Sequence, residues 1–180
     1  MSQPPFVLTS TEHGRLELYK IIQKRRAGIW GDGFNGPTYG ELTDGSMQKI
    51  IDVLVQKCRL IIIIIIIIII IDIGSSGLGK PNFHVAHVVH PLLSIGVEVE
   101  ELRYLLSIDN LATILKNVSI DSNSVSFIKR DILESMSLDP FTHIYQFDIG
   151  FPPYLLKELA IRFNRRYKQF NLYLRILKSN

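Results

Sequence analysis

The chain has 180 residues, 47 % of them apolar and 21 % charged, with a formal net charge of +3 at neutral pH. That is one domain's length, apolar enough for a core and too weakly charged for disorder. The mean hydropathy of +0.20 is owed to one tract, Ile61 to Ile71, eleven isoleucines in a row. With Leu60 the tract reaches twelve apolar residues between Arg59 and Asp72, well short of the ~20 that a membrane-spanning helix needs. The sequence therefore predicts no membrane partner. A single cysteine, Cys58, excludes an internal disulfide framework and suits a reducing compartment. The opening MSQPPFVLTSTEH has neither the basic start nor the apolar stretch of a signal peptide.

In chain order, Thr11 to Lys24 carries Leu16, Tyr19 and Ile22 at helical spacing, with Leu18 and Ile21 beside them. Six residues of the segment from Ala27 to Gly40 are glycine or proline, which predicts a loop. A loop of that length inside a domain is usually functional. Asp44 or Ser46 caps a second helix running to about Lys57. The isoleucines then feed a strand that ends at Asp72, followed by a glycine turn from Gly74 to Gly79 and a helix from Lys80 to Val89. Next come a strand from Leu92 to Val97 with Glu98 at its end, and a helix from Glu101 to Lys116. A third strand, Val125 to Lys129, precedes Asp131 and a short helical stretch. A fourth, His143 to Phe147, precedes Asp148 and a helix from Pro153 to Tyr167, with Phe170 to Leu177 as a candidate fifth strand. Strands alternating with helices predict right-handed βαβ units, hence an α/β fold with a parallel, Rossmann-like sheet. Residues 1–42 form a helical lead-in and loop, and residues 43–180 form the sheet domain.

Each strand ends in an acid at its carboxyl edge, where open α/β sheets bind ligands. Asp72-Ile-Gly-Ser-Ser-Gly-Leu-Gly-Lys80 has two readings. In the first, Gly74 and Gly77 let backbone approach a ligand, Glu98 accepts ribose hydroxyls, and Asp131 accepts an adenine amino group. Three acids at successive strand ends fit an adenosine lying across the sheet edge. In the second, Gly74 to Lys80 is a phosphate-binding loop of the GxxxxGK type, with Asp148 as the magnesium acid. Against it stand Pro81, where that loop requires a hydroxyl, and Asp72, whose charge is the wrong sign for phosphates.

The ordered set Tyr39-Gly40-Glu41, Asp72-Ile-Gly-Ser, Gly96-Val97-Glu98 and Asp131-Ile132-Leu133 resembles the disruptor-of-telomeric-silencing family. These are class I methyltransferases, histone lysine methyltransferases without a SET domain. The likeness runs from about Phe34 to Phe163. It implies S-adenosylmethionine as cofactor, histone H3 in nucleosomes as partner, and a nuclear location. Tyr39 and Glu41 would close over the methionine end of the cofactor, Asp72, Gly74 and Gly77 line its methionine and ribose, Glu98 takes the ribose hydroxyls, and Asp131 with Ile132 the adenine. The family's Asn-Asn-Phe-x-Phe lid is replaced by Tyr145-Gln-Phe-Asp-Ile-Gly-Phe151, so Gln146, Asp148 and Phe151 are the candidate catalytic residues. An amine in such a site must be neutral and in line with the methyl group to attack it.

The sequence also departs from that family. The glycine motif carries one extra residue at or near Ser76, the isoleucine tract lengthens the connection before the first strand, and four or five strands stand where the family has seven. An incomplete carboxyl terminus is the corresponding expectation, and with it an inactive remnant that binds cofactor or chromatin. From Lys157 onward there are seven bases and one acid, a distribution that suits an anionic partner. Arg162, Arg165, Arg166 and Lys168 are the candidate DNA contacts. His84, His87 and His90 sit on one helix but cannot converge on a metal, and a solvated helix face is predicted for them. No metal site is expected.

Overall fold

Five β-branched or apolar residues in a row make a strand wherever both faces are covered, and the end of the isoleucine tract is such a segment. The computed structural model describes residues 12–24, 42–58, 69–73, 77–141, 143–148, 151–166 and 172–176. In chain order they form α1 (Glu12–Lys24), α2 (Asp44–Cys58), β1 (Ile69–Ile73), α3 (Lys80–Val88), β2 (Leu93–Glu98) and α4 (Glu101–Asn117). There follow β3 (Val125–Lys129), a 3-10 turn (Ile132–Glu134), β4 (His143–Phe147), α5 (Pro153–Arg166) and β5 (Leu172–Ile176). The predicted alternation holds throughout, and the candidate fifth strand is a strand.

The sheet is parallel at every pairing, in the order β3-β2-β1-β4-β5. This is the doubly wound, Rossmann-like order. The chain moves outward from β1 to β2 and β3, then crosses back to β4 on the other side, so the switch point lies between β1 and β4. Register sets Asp72 level with Gly96 on β2 and Tyr145 on β4.

Alternation along the strands sends side chains to two covered faces. On one, Leu18 and Ile22 of α1, Phe83 and Ala86 of α3 and Ile114 of α4 pack with Val125 and Phe127 of β3. Met47 and Ile51 of α2 extend that face over Val85, Val88 and Tyr145. On the other, Val97, Ile132, Leu138 and Ile144 pack with Leu159 of α5. No helix among the described residues is long and apolar enough to cross a membrane.

The histidines are a correction. His84 is fully buried and His87 is 7 % exposed, while only His90, just past the helix, is exposed. The reason is that α1 and α2 lie over the outer side of α3 and supply polar partners. His84 Nδ1 meets the Tyr19 hydroxyl at 3.0 Å and its Nε2 meets Gln48 Oε1 at 3.0 Å. Arg15 donates to the same Gln48 oxygen at 2.7 Å and pairs with Asp44 at 3.2 Å. Burial, with the Arg15 and His87 charges adding to it, lowers the His84 pKa to about 3, so the ring is neutral.

Candidate functional site

After β1 the chain turns into α3 through Gly77 (φ 51°) and Gly79 (φ 85°), a backbone conformation that side-chain-bearing residues rarely adopt. The two glycines do different work. A Cβ on Gly79 would lie 2.5 Å from both Phe127 Cζ and Phe83 Cε2, so its bareness lets those edge-to-face rings close over the turn. Between the glycines Leu78 is buried, and its carbonyl accepts from Asn110 Nδ2 of α4 at 3.1 Å. Gly77 faces the sheet edge, and its N–H donates to Glu98 Oε2 at 3.0 Å.

Glu98 is more enclosed than the sequence predicts. It is 1 % exposed, and its other oxygen accepts from the Glu100 N–H at 3.0 Å and from Arg103 Nη2 at 3.3 Å. A carboxylate has about four acceptor sites, so three protein donors leave roughly one for a ligand. Glu98 thus ties the glycine turn of β1 to the end of β2, and its backbone carbonyl also accepts from the Arg130 N–H at 3.1 Å, bringing in the end of β3. Arg103, absent from the sequence-based site, sets a guanidinium against this buried carboxylate.

Asp131 stands exposed at the next strand end. Its Oδ1 accepts the Leu133 N–H at 2.8 Å, capping the 3-10 turn. Ile132 is buried against Val97 and Ile144, an apolar floor beside that acid. Of Asp72 the backbone alone is described, at the carboxyl end of β1. Tyr39, Glu41 and Gly74 lie outside the described residues.

Beyond the switch point, Gln146 and Asp148 lie side by side, 1 % and 8 % exposed, with Gln146 Nε2 donating to Asp148 Oδ2 at 3.3 Å. Phe151 does not join them as an open aromatic wall. Its N–H donates to the Asp148 carbonyl at 3.0 Å, and its ring packs against the core cluster that includes Leu159 of α5.

The phosphate-loop reading does not survive this geometry. Lys80 is 6 % exposed and its ammonium lies 5.7 Å from the centre of the Tyr19 ring, on the α1 side. Among the described residues no three histidine, cysteine or acidic side chains are grouped to hold a metal. Arg162 is committed internally: it donates to the Ser135 and Leu133 carbonyls at 3.0 and 2.9 Å and to Glu158 Oε2 at 2.9 Å. It clamps α5 to the 3-10 turn. The side chains of Arg165 and Arg166, and all of Lys168, lie outside the described residues.

No family model matches the chain, and no curated protein matches it. Several solved structures are similar in trace. One is the magnesium protoporphyrin IX methyltransferase of Synechocystis PCC 6803 with bound SAM, 14 % identical over 79 % of this chain and 71 % of that one, TM-score 0.49. A second is an O-methyltransferase from Bacillus cereus in complex with SAH, 15 % identical over 78 % and 56 %, TM-score 0.48. A third is the precorrin-6y C5,15-methyltransferase of Geobacter metallireducens GS-15, 14 % identical over 59 % and 52 %, TM-score 0.45. The aligned part thus spans about half the length of the last of these. None of these likenesses identifies a substrate.

Proposed function

We propose that this chain is an S-adenosylmethionine-dependent methyltransferase domain whose acceptor is a lysine in the folded core of histone H3. What carries the cofactor reading is one juxtaposition. The Gly77 turn, the Glu98 carboxylate and Asp131 follow β1, β2 and β3 in order along one sheet edge. That donor and acceptor set fits a cationic adenosyl sulfonium. Carboxylates accept hydroxyl and amino protons, and their charge opposes a polyphosphate. S-adenosylmethionine, when bound, supplies an electrophilic methyl group on a cationic sulfur.

The chain's own residues would then act as follows. The site left on the Glu98 carboxylate takes a ribose hydroxyl, and Asp131 beside Ile132 takes the adenine amino group against an apolar floor. Gln146 and Asp148, across the switch point, orient the acceptor amine, and the Asp148 carboxylate receives its proton. The histone part of the reading is supported by Tyr39-Gly40-Glu41 ahead of the sheet and by the ordered strand-end motifs of the resembled family.

Calorimetry with S-adenosylmethionine and with Mg-ATP tests the first level. Binding of the former and not the latter is expected, with Asp131→Ala costing about tenfold in affinity for one lost hydrogen bond to a charged group. Binding of Mg-ATP alone overturns it. Labelled methyl transfer to intact nucleosomes tests the second level, and label on other proteins or small molecules but not on H3 sinks the histone assignment.

A further inference from the structure

Asn110 is a polar residue on the buried side of α4, a side it shares with Ser107 and Ile114. Ser107 satisfies itself within the helix, its Oγ donating to the Tyr104 carbonyl at 2.7 Å. Asn110 instead reaches outside, and its Nδ2 donates to the Leu78 carbonyl at 3.1 Å. The side chain is fully buried, and its Oδ1 has no hydrogen-bond partner among the described residues. The core it adjoins is apolar, with Ile114, Leu78, Phe83 and Phe127 in one cluster. A buried amide with an unmatched oxygen costs free energy that a leucine at the same place would not. The core alone gives no reason for an amide at position 110, so the reason lies in the carbonyl it holds.

That carbonyl belongs to the glycine turn. Gly77 and Gly79 are both left-handed, at φ 51° and 85°, with buried Leu78 between them. A peptide plane turns over when ψ of one residue and φ of the next change in opposite senses, and a glycine accepts either sign of φ. The Leu78–Gly79 plane is therefore the pliable one, and Gly79 caps α3 with no side chain to steady it. The Asn110 amide fixes the carbonyl of this plane from α4, while Glu98 fixes the Gly77 N–H from β2 at 3.0 Å. We propose, resting on the S-adenosylmethionine reading above, that Asn110 is a positioning residue of that cofactor site and touches no cofactor itself. By holding the Leu78 carbonyl it holds the Gly77 N–H on Glu98, and with it the direction of the acceptor left for a ribose hydroxyl. A turn that samples a second plane binds only in proportion to its competent fraction. Asn82 supplies the comparison within the same chain. It is 1 % exposed, its Nδ2 donates to Ser94 Oγ at 3.0 Å, and its Oδ1 is likewise unpartnered among the described residues. Ser94, however, is at the start of β2, about 13 Å along the strand from Glu98.

Calorimetry with S-adenosylmethionine on the full chain is the test, with circular dichroism to check that each variant folds. Asn110→Ala should raise the dissociation constant about fivefold or more, the worth of one ordinary hydrogen bond. Asn82→Ala loses a bond of the same kind and should leave it within about twofold. Asn110→Asp adds a readout in pH that a packing role would not move. A buried carboxyl stays protonated well above its usual range, and its O–H then donates to the Leu78 carbonyl as the amide does. The dissociation constant of Asn110→Asp should approach that of wild type near about pH 6 and rise above it toward about pH 9, as the donor is lost. If Asn110→Ala does not fold, Asn110→Asp decides alone. Wild type that binds no S-adenosylmethionine overturns the cofactor reading and this role with it. Binding by wild type, matched by both Asn110 variants at every pH, overturns the role of Asn110 alone. So does a loss in Asn82→Ala equal to that in Asn110→Ala.

Discussion

Two glycines in this chain invite the same substitution with opposite results. At Gly79 an alanine would meet Phe127 and Phe83 at 2.5 Å in a backbone with φ of 85°. Overpacking and the left-handed penalty together cost about 2–4 kcal/mol. At Gly45, in the first turn of α2, nothing lies within 4 Å of the added methyl, and alanine should stabilise by about 0.5–1 kcal/mol. Urea denaturation of the two variants side by side checks both signs. Glu98→Gln is the sharper probe of the site. The amide keeps the shape but turns an N–H₂ toward a cluster of donors, Gly77 N–H, Glu100 N–H and Arg103. It should cost about 1–3 kcal/mol of stability and weaken S-adenosylmethionine in calorimetry. The position of Glu98 was legible in the sequence from strand-end spacing. Its burial was not, because the Arg103 that permits it belongs to the next helix.

Among elements, the 3-10 turn that carries Ile132 depends on a residue from another segment. Arg162 on α5 donates to two of its carbonyls, which a short helix end would otherwise leave bare. Arg162→Ala should cost about 1–3 kcal/mol and raise hydrogen exchange at the amides of Leu133, Glu134 and Ser135. Arg162→Lys should recover little, since one point charge cannot span both carbonyls. Unchanged exchange in both variants would show that the turn holds itself. From sequence this arginine counted as part of a basic terminus, because charge runs record composition and not partners. The elements themselves were legible: β3 and β4 were placed to the residue, since a two-residue period between turn signals leaves little freedom. The outer side of α3 was misread for the opposite reason. Its histidines look solvated in isolation, and only α1 and α2 folding over them makes them interior.

For the molecule as a whole, two imidazoles, His84 buried and His143 half-buried, set a response to acid. Burial lowers the His84 pKa to about 3 and that of His143 to about 4. The unfolded chain binds these protons near pH 6.5 while the folded chain refuses them. Stability is therefore undiminished above pH about 6.5 and falls as the pH drops below it, until the folded pKa values are reached. At pH 5 each ring removes about 2 kcal/mol. Melting curves at pH 7.5, 6 and 5 should show a steady fall, and a flat profile would mean these rings are hydrated. That the sheet is parallel, likewise a property of the whole, followed from βαβ alternation, whereas its strand order and the packing of α1 and α2 over α3 needed coordinates. One more consequence lies in β1, where Ile69, Ile70 and Ile71 pair with Leu93, Ser94 and Ile95 on one side. Each is preceded by an identical residue. Losing or gaining an isoleucine by slippage in the coding repeat therefore delivers the same side chain to every rung, with the frame counted backward from Asp72. The sheet is indifferent to repeat length, so a chain one isoleucine shorter should give the same melting curve, leaving this locus free to drift in length where a mixed sequence would be held fixed.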